Sequence, residues 1–345
     1  MTRTRSRLFL QTLFVFSGAT SLVYEILWMR GFAIVLGSTV YAMSCVLTAF
    51  MLGLTIGAAV AGRALRTRAD RAPGAYLAAY GVLELAIGLY AAVFTPTLFL
   101  GQEAYLSFLA GLPGEGALAT LAVHFAFSFV LTALPTIAMG ATLPVLSMSL
   151  AADEDTSALY GANTLGAAAG SLAASFLLIY VFGCLGATWI VAGINALIFA
   201  VSLAVARRWR ERPFSSAAAP AAIPGGEEWS PALLLALSFF SGYVFFSYEL
   251  VWDRCLGLVL GNRVYVTSIT LAAVLACLTL GARYSRRLLA TRSPDRILGG
   301  CYSVSVLAVG IAVLAAPAAL ASEPRRPEAL AVFLLTLLPI PALAM

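Results

Sequence analysis

Two glutamates set within apolar segments are the strongest candidates for chemistry. Glu25 and Glu249 each follow a tyrosine and precede a tryptophan by three residues. On a helix, this spacing of three puts the glutamate and the tryptophan on one face. A pair of buried anions flanked by aromatic rings suits a diamine or polyamine, through ion pairing and cation–π contact. We therefore predict an amine-binding set that comprises Tyr24, Glu25, Trp28, Tyr248, Glu249 and Trp252.

The same two glutamates also fit a structural role. Arg30 and Arg254 lie five residues beyond Glu25 and Glu249, which is about 140° further round a helix. Each glutamate could then pair with the arginine of the other segment and lock the two segments together. The residues alone leave ligand binding and this structural lock open.

Two further polar residues stand inside apolar segments. Glu84, in GVLELAIGLY, fits either a proton-coupling residue or a hydrogen-bonded acid of the core. Asn163 lies in a segment whose small residues recur at every fourth position, a pattern typical of close helix packing. These small residues are Ala162, Gly166, Gly170 and Ala174. We expect Asn163 to bond across that helix contact.

No cluster of residues suggests a metal site, a cofactor site or a catalytic centre. The five cysteines are scattered and form no C-x-x-C pair. The single histidine, His124, has no second histidine or cysteine nearby in the sequence. We therefore predict no metal ion, no cofactor bound by this chain and no catalytic residue within it.

The composition requires a lipid environment for the helices that carry these residues. Hydrophobic residues make up 61% of the 345 residues and charged residues only 11%, whereas a soluble domain carries about 25% charged residues. Backbone polar groups in lipid must be satisfied within each segment, so the apolar stretches are predicted as helices. We predict an all-α, polytopic transmembrane bundle. Its spans are expected at about 8–28, 40–62, 74–98, 117–148, 158–183, 186–206, 231–251, 264–282, 297–320 and 328–345. Pro135, Gly140 and Pro144 should bend or break the fourth span.

The basic residues indicate membrane orientation rather than a nucleic-acid partner. All 21 are arginines, and most fall within 3–7, 63–71, 207–212 and 283–296. These positions all face the same side of the membrane if the helices cross in turn. Because short cytoplasmic loops carry the excess of basic residues, we predict a cytoplasmic N-terminus in a bacterial plasma (inner) membrane.

The sequence contains an internal duplication. The segment at 13–50 returns at 237–274 with a constant offset of 224 residues, so Ser17-Gly18 matches Ser241-Gly242 and Tyr24-Glu25 matches Tyr248-Glu249. An even number of intervening spans predicts a parallel repeat, as in the two halves of major-facilitator transporters. We predict a first six-helix repeat at 1–206 and a cytoplasmic linker at 207–230. A second repeat at 231–345 contains about four of six spans and is expected to be truncated.

Four motifs carry a family resemblance: SGATSLVYEILWMR at 17–30, GSTVYA at 37–42, PTIAMGATLP at 135–144 and YGANTLGAAAGSL at 160–172. With these, the chain resembles the membrane part of the fused major-facilitator/spermidine-synthase proteins. Those are bacterial multi-span proteins that often carry a C-terminal aminopropyltransferase domain. The glycine-rich nucleoside-binding loop and acidic catalytic cluster of spermidine synthases have no counterpart in this sequence. The resemblance thus implies aminopropyl transfer for a full-length relative and none for this chain.

Three functions are compatible with the sequence. The first is a membrane module that binds, presents or transports a small cationic amine or polyamine. The second is a purely structural anchor for a fused or associated aminopropyltransferase domain. The third is a transporter of an unrelated solute, because a fold does not determine the solute. The partners expected are the lipid bilayer, the amine and that enzyme domain, with no nucleic acid.

Overall fold

The protein is all-α. A computed structural model describes residues 3–37, 39–66, 72–111, 116–150, 156–209, 230–260, 263–289, 296–304 and 306–307. These residues contain no strand and form nine α-helices, with one π-helical segment at Ala174–Leu178. The helices are α1 Arg3–Val35, α2 Val40–Arg66, α3 Pro73–Leu100, α4 Gln102–Ala110, α5 Ala117–Ser147, α6 Thr156–Ala173, α7 Ile179–Arg208, α8 Pro231–Leu260 and α9 Arg263–Leu289. Residues 296–304 are also helical.

Within the described residues, six helical stretches are long and apolar enough to cross a membrane. They are Arg5–Val35, Tyr41–Arg66, Pro73–Leu100, Leu118–Ser147, Thr156–Arg208 and Ala232–Asp253. The sequence therefore specifies a multi-pass membrane protein, because a span needs about 20 apolar residues. A shorter apolar helix covers Tyr265–Gly281. The predicted span at 328–345 lies outside the described residues, and so does most of the predicted span at 297–320, of which 297–304 and 306–307 are helical.

The chain divides into two compact units, Met1–Ala219 and Pro220–Met345. The first unit contains α1 to α7, and the second contains α8, α9 and the helical residues from 296. The predicted linker at 207–230 falls mainly at 210–229, outside the described residues. The predicted boundaries at 206 and 231, and the repeat relation between the two segments, stay predictions.

Helices α1 and α3 run parallel. Three side-chain contacts join them, from Tyr80 to the Leu13 carbonyl, from Ser17 to Glu84 and from Trp28 to Thr95. Each of these pairs is 67 residues apart in the sequence. A constant difference means that both helices advance in the same direction, as expected for two spans separated by one crossing in between.

The chain reverses direction at Gly183. The stretch Thr156–Arg208 is 53 residues long, or about 80 Å of helix, far more than a membrane core of about 30 Å. Gly183 has φ 67° and ψ 179°, a conformation open to glycine because it lacks a Cβ. Helix α6 runs parallel to α1, and so to α3, since Gly166 faces Val15 and Gly170 faces Ala19. Helix α7 runs antiparallel to α3, since Gly81 faces Ser202 whereas Gly88 faces Asn195. The predicted division between spans 158–183 and 186–206 is confirmed.

Described arginines of the first unit gather at one end of it. A buried apolar cluster contains residues from the first turns of α1, α3 and α6 and from the last turns of α2, α5 and α7; its members include Phe14, Leu77, Leu159, Ala61, Leu146 and Ala206. The same helix ends carry Arg3, Arg5, Arg7, Arg63, Arg66, Arg207 and Arg208. Arg30 lies near the other end of α1 and is exposed. Helices of alternating direction thus bring these dispersed basic residues together.

Glycines hold two helix pairs in backbone contact. A Cβ built on Gly166 of α6 would lie 1.9 Å from the Val15 carbonyl oxygen, and one on Gly170 would lie 2.4 Å from that of Ala19. The small-residue face predicted in α6 therefore packs against α1. A Cβ added to Gly57 of α2 would similarly lie 2.0 Å from the Ile137 carbonyl oxygen of α5. Small side chains allow this close approach of membrane helices.

Helix α5 continues through the residues that were expected to bend or break it. Pro135 and Pro144 lie inside the helix Ala117–Ser147. A proline has no N–H and leaves the carbonyl four residues earlier without its helical donor. For Pro135 that carbonyl belongs to Leu131, and the Tyr90 hydroxyl of α3 donates to it at 2.5 Å. A side chain of the neighbouring helix thus replaces the missing backbone bond, as membrane helices with proline require.

Substituting Tyr90 by phenylalanine should destabilise the protein by about 0.5–1.5 kcal/mol, because the Leu131 carbonyl loses its donor. The free energy of unfolding in detergent micelles measures this loss. In a Pro135→Ala background, residue 135 supplies an amide N–H, so Tyr90→Phe should cost less. An equal cost of Tyr90→Phe in both backgrounds would contradict this account of the proline.

Candidate functional site

Three glutamates are the charged side chains that are buried among the described residues. Glu25 is 2% exposed, Glu84 is 1% exposed and Glu249 is 9% exposed. They lie within the candidate spans Arg5–Val35, Pro73–Leu100 and Ala232–Asp253. The buried charged side chains of the described residues are therefore all acidic, whereas the described arginines of the first unit lie mainly near helix ends.

Glu84 is the centre of a hydrogen-bond network that joins three helices. The Ser17 hydroxyl of α1 donates to Glu84 Oε1 at 2.5 Å, and Asn195 Nδ2 of α7 donates to Glu84 Oε2 at 2.7 Å. The Tyr24 hydroxyl of α1 donates to Asn195 Oδ1 at 2.9 Å. Asn195 Nδ2 also lies 3.4 Å from Thr20 Oγ1. We call these five residues the Glu84 network.

The Glu84 network is closed off from its surroundings. Each of its five side chains is at most 2% exposed. Buried polar groups cost free energy unless they are hydrogen-bonded, and the network meets that need for both carboxyl oxygens. Of the two roles expected for Glu84, the structure shows the geometry of a hydrogen-bonded core acid, and proton coupling stays a prediction.

Tyr24 and Trp28 are placed in the core of the first unit. Their rings stack with centroids 5.6 Å apart and an interplanar angle of 13°. Trp28 Nε1 donates to Thr95 Oγ1 at 2.9 Å, and the Phe94 ring packs edge-on against Trp28 at 5.5 Å. The Trp28 Nε1 atom is therefore hydrogen-bonded to α3, and the Tyr24 hydroxyl to α7, within the same unit.

The predicted residues of the second unit are described only in part. Glu249 is buried in α8, and Trp252 on the same helix is half-buried. The side chains of Tyr248 and Arg254 lie outside the described residues. The two-point amine site of Glu25 with Glu249, and the alternative pairing of Glu25 with Arg254, stay predictions.

Asn163 lies at the contact between α6 and α1. A Cβ added to Gly18 would come within 2.1 Å of the Asn163 carbonyl oxygen and 2.9 Å of its Oδ1. Asn163 thus contacts α1 through both its backbone and its side-chain amide. No hydrogen bond across that contact is established for it, so the expected bond stays a prediction.

Sequence reasoning missed the partners of Glu84. Ser17 was noted as part of a repeated motif and Asn195 was not singled out. The available signal was a lone amide inside the apolar stretch at 186–206, since such side chains in membrane helices bond to neighbouring helices. Nothing in the sequence indicates which neighbouring helix that amide meets.

Metal ligands do not cluster in the part of the chain that the structure describes. No group of three or more histidine, cysteine, aspartate or glutamate side chains there could hold a metal ion. Comparison with protein-family models gives no match for this chain. A search of curated proteins gives no match either. The site must therefore be interpreted from its own geometry.

Proposed function

We propose that this chain is a membrane module that binds, presents or transports a small cationic amine. The observation that supports it is the burial of Glu25 and Glu249, because both carboxyl groups of the predicted amine site lie in candidate spans. Ionisable side chains inside membrane spans are costly and commonly mark ion or solute pathways. Fixed anions in such an interior favour a cationic solute.

The support comes from the carboxylates more than from the aromatic rings. Tyr24 and Trp28 are bonded to Asn195 and Thr95 and stack on each other. Their faces would become available to an amine only in another conformation of the first unit. Binding of an amine at Glu25 through these two rings therefore requires that other conformation.

The family resemblance extends this proposal to a longer protein. In that interpretation the module belongs to a spermidine-synthase-like fused protein of a bacterial inner membrane. The gathering of arginines at the end of the first unit that contains the N-terminus supports a cytoplasmic N-terminus. An aminopropyltransferase domain would then be the fused or associated partner.

A structural anchor is the second candidate function, and one observation favours it. The Glu84 network and the Trp28 indole bond are satisfied within the first unit without any ligand. A bundle so fully bonded would hold an enzyme domain at the membrane without binding a solute itself.

A diamine should stabilise the purified protein against heat, whereas a monoamine of equal length should do so weakly, because only the diamine uses both carboxylates. Glu25→Gln and Glu249→Gln should each weaken diamine binding by roughly ten- to 150-fold, the equivalent of about 1.5–3 kcal/mol for one charged hydrogen bond. Thermal unfolding in detergent, followed against 1,4-diaminobutane and butylamine concentration, gives the apparent affinities.

Glu103 supplies the matched control for this experiment. It lies on the exposed side of α4, so Glu103→Gln removes the same charge without touching the interior and should leave diamine binding unchanged. Equal stabilisation by both amines, or equal effects of Glu25→Gln and Glu103→Gln, would exclude the two-point site. The absence of stabilisation by either amine would favour the structural anchor.

A further inference from the structure

The Glu84 network has room for a proton but not for an ammonium group. We propose that Glu84 reversibly binds a proton, with Ser17, Asn195 and Tyr24 forming the site around it. The step is the transfer of one proton from a hydronium ion to a carboxylate oxygen: an O–H bond of hydronium breaks and releases water, one O–H bond forms on Glu84, and no bond within the protein breaks. This proton site is separate from the amine site of the proposed function.

The partners of Glu84 accommodate both of its charge states. At Oε1 the partner is the Ser17 hydroxyl, a group that can both donate and accept a hydrogen bond. Ser17 donates to the carboxylate, and after a rotation about its C–O bond it can accept from the carboxylic acid. At Oε2 the Asn195 amide donates in either state. Proton uptake thus requires one hydroxyl rotation and no repacking of helices.

Tyr24 fixes the orientation of the Asn195 amide. The Tyr24 hydroxyl donates to Asn195 Oδ1, which turns the NH₂ group of the same amide toward Glu84 Oε2. Oε2 therefore keeps a donor, and the incoming proton belongs on Oε1 beside Ser17. The Tyr80 hydroxyl is a further hydrogen-bond partner of both Ser17 and Glu84.

The spacing of the network excludes larger cations. Oε1 lies 2.5 Å from Ser17 Oγ, and Oε2 lies 2.7 Å from Asn195 Nδ2, both at hydrogen-bond distance. A metal ion or an ammonium group would have to displace Ser17 or Asn195, whereas a proton fits between atoms already in contact. The surrounding Thr20 and Tyr24 side chains are also fully packed.

The charged surroundings of Glu84 are simple. The titratable groups that act on it from the described residues are Tyr80 on its own helix and Tyr24 on α1. From α7 the facing group is the uncharged Asn195. Among the described residues, the Glu84 carboxyl group therefore has two tyrosine hydroxyls and one neutral amide around it.

The second unit repeats part of this arrangement without the acid. Tyr302 is in hydrogen-bond contact with Ser241, as Tyr80 is with Ser17 in the first unit. Glu84 follows Tyr80 by four residues, and four residues after Tyr302 the chain has Val306 instead. The serine–tyrosine contact of the second unit thus has a valine at the position that Glu84 occupies relative to Tyr80.

Infrared difference spectroscopy of the purified protein tests this proposal directly. Acidification without any amine should produce the C=O stretching band of a protonated carboxyl group in the wild type and in Glu103→Gln. The Glu84→Gln variant should lack one component of that band. Identical acid-induced spectra for wild type and folded Glu84→Gln would overturn the proposal.

Ser17→Ala provides a second variant that retains the acid. Removing the hydroxyl takes away the partner of the protonated oxygen, so the Glu84 band should shift in frequency and still titrate. A Ser17→Ala band that coincides with the wild-type band would overturn the assignment to Oε1, even if Glu84→Gln fails to fold. Because no amine is present, this result is independent of the diamine experiment.

Discussion

Replacing Gly166 by alanine is expected to destabilise the first unit by about 1–3 kcal/mol, the cost of adding a methyl group to a close-packed contact. The added Cβ would lie 1.9 Å from the Val15 carbonyl oxygen, so α1 and α6 must move apart. Alanine also has a helix propensity higher than that of glycine by up to about 1 kcal/mol. The measured loss of stability is therefore the steric cost minus this gain in helix propensity. Unfolding in detergent micelles gives the free energy.

Gly161 of the same helix is the matched control for this substitution. Its added Cβ would have no atom within 4 Å, so Gly161→Ala should leave stability unchanged or raise it through helix propensity. The two substitutions add the same methyl group to the same helix. If Gly166→Ala proves as harmless as Gly161→Ala, the backbone contact between α1 and α6 is wrong.

The second large effect is expected for Asn195→Ala. Removing the amide leaves Glu84 Oε2 and the Tyr24 hydroxyl without their shared partner in a buried site. An unsatisfied buried polar group costs about 1–3 kcal/mol, and hydrogen bonds between membrane helices contribute at the lower end of such values. We therefore expect a loss on the order of 2 kcal/mol or more in the free energy of unfolding.

Ser202→Ala is the corresponding control on α7. Ser202 lies two turns beyond Asn195 and is equally buried, and its hydroxyl has no hydrogen-bond partner among the described residues. Its removal should change stability little. A loss at Asn195 no larger than that at Ser202 would show that the Glu84 network does not hold α1, α3 and α7 together.

The all-α fold and the positions of the long helices follow from local features of the sequence. The exact ends do not, since α1 covers Arg3–Val35 where 8–28 was expected, and the short helix α4 was not predicted. Apolar runs in lipid must form helices because their backbone groups have no other partners. The turn at Gly183 could be predicted because its apolar run is too long for one crossing. The close packing of Gly166 and Gly170 follows from their spacing, which leaves one helix face without side chains.

The Glu84 network could not be predicted in the same way. Two of its members, Ser17 and Asn195, lie 67 and 111 residues from Glu84 in the sequence. Periodicity assigns a residue to a face of its own helix, but the helix that this face meets depends on how all the spans pack together. The same reason applies to Trp28, whose face was predicted from spacing and whose partner Thr95 was not.

The continuity of α5 also depends on a distant residue. Proline is expected to interrupt a helix because it removes one hydrogen bond and crowds the preceding turn. The helix persists because Tyr90, on another helix, donates to the exposed carbonyl of Leu131. Local rules therefore identify where a helix is weak, and tertiary contacts decide whether it ends there.

The glycine contacts group the helices of the first unit into three closely packed pairs. Backbone contact joins α1 with α6 and α2 with α5, while Gly81 and Gly88 bring α3 close to α7. Each pair should move as one body, because sliding of one helix along the other would bring backbone atoms of the two helices into steric clash. Conformational change in the first unit must then occur at the boundaries between these pairs. Hydrogen bonds cross two of the boundaries between pairs. The bonds from Ser17 to Glu84 and from Trp28 to Thr95 join α1 to α3, and the bond from Tyr90 to Leu131 joins α3 to α5. Relative motion of the pairs must break such hydrogen bonds.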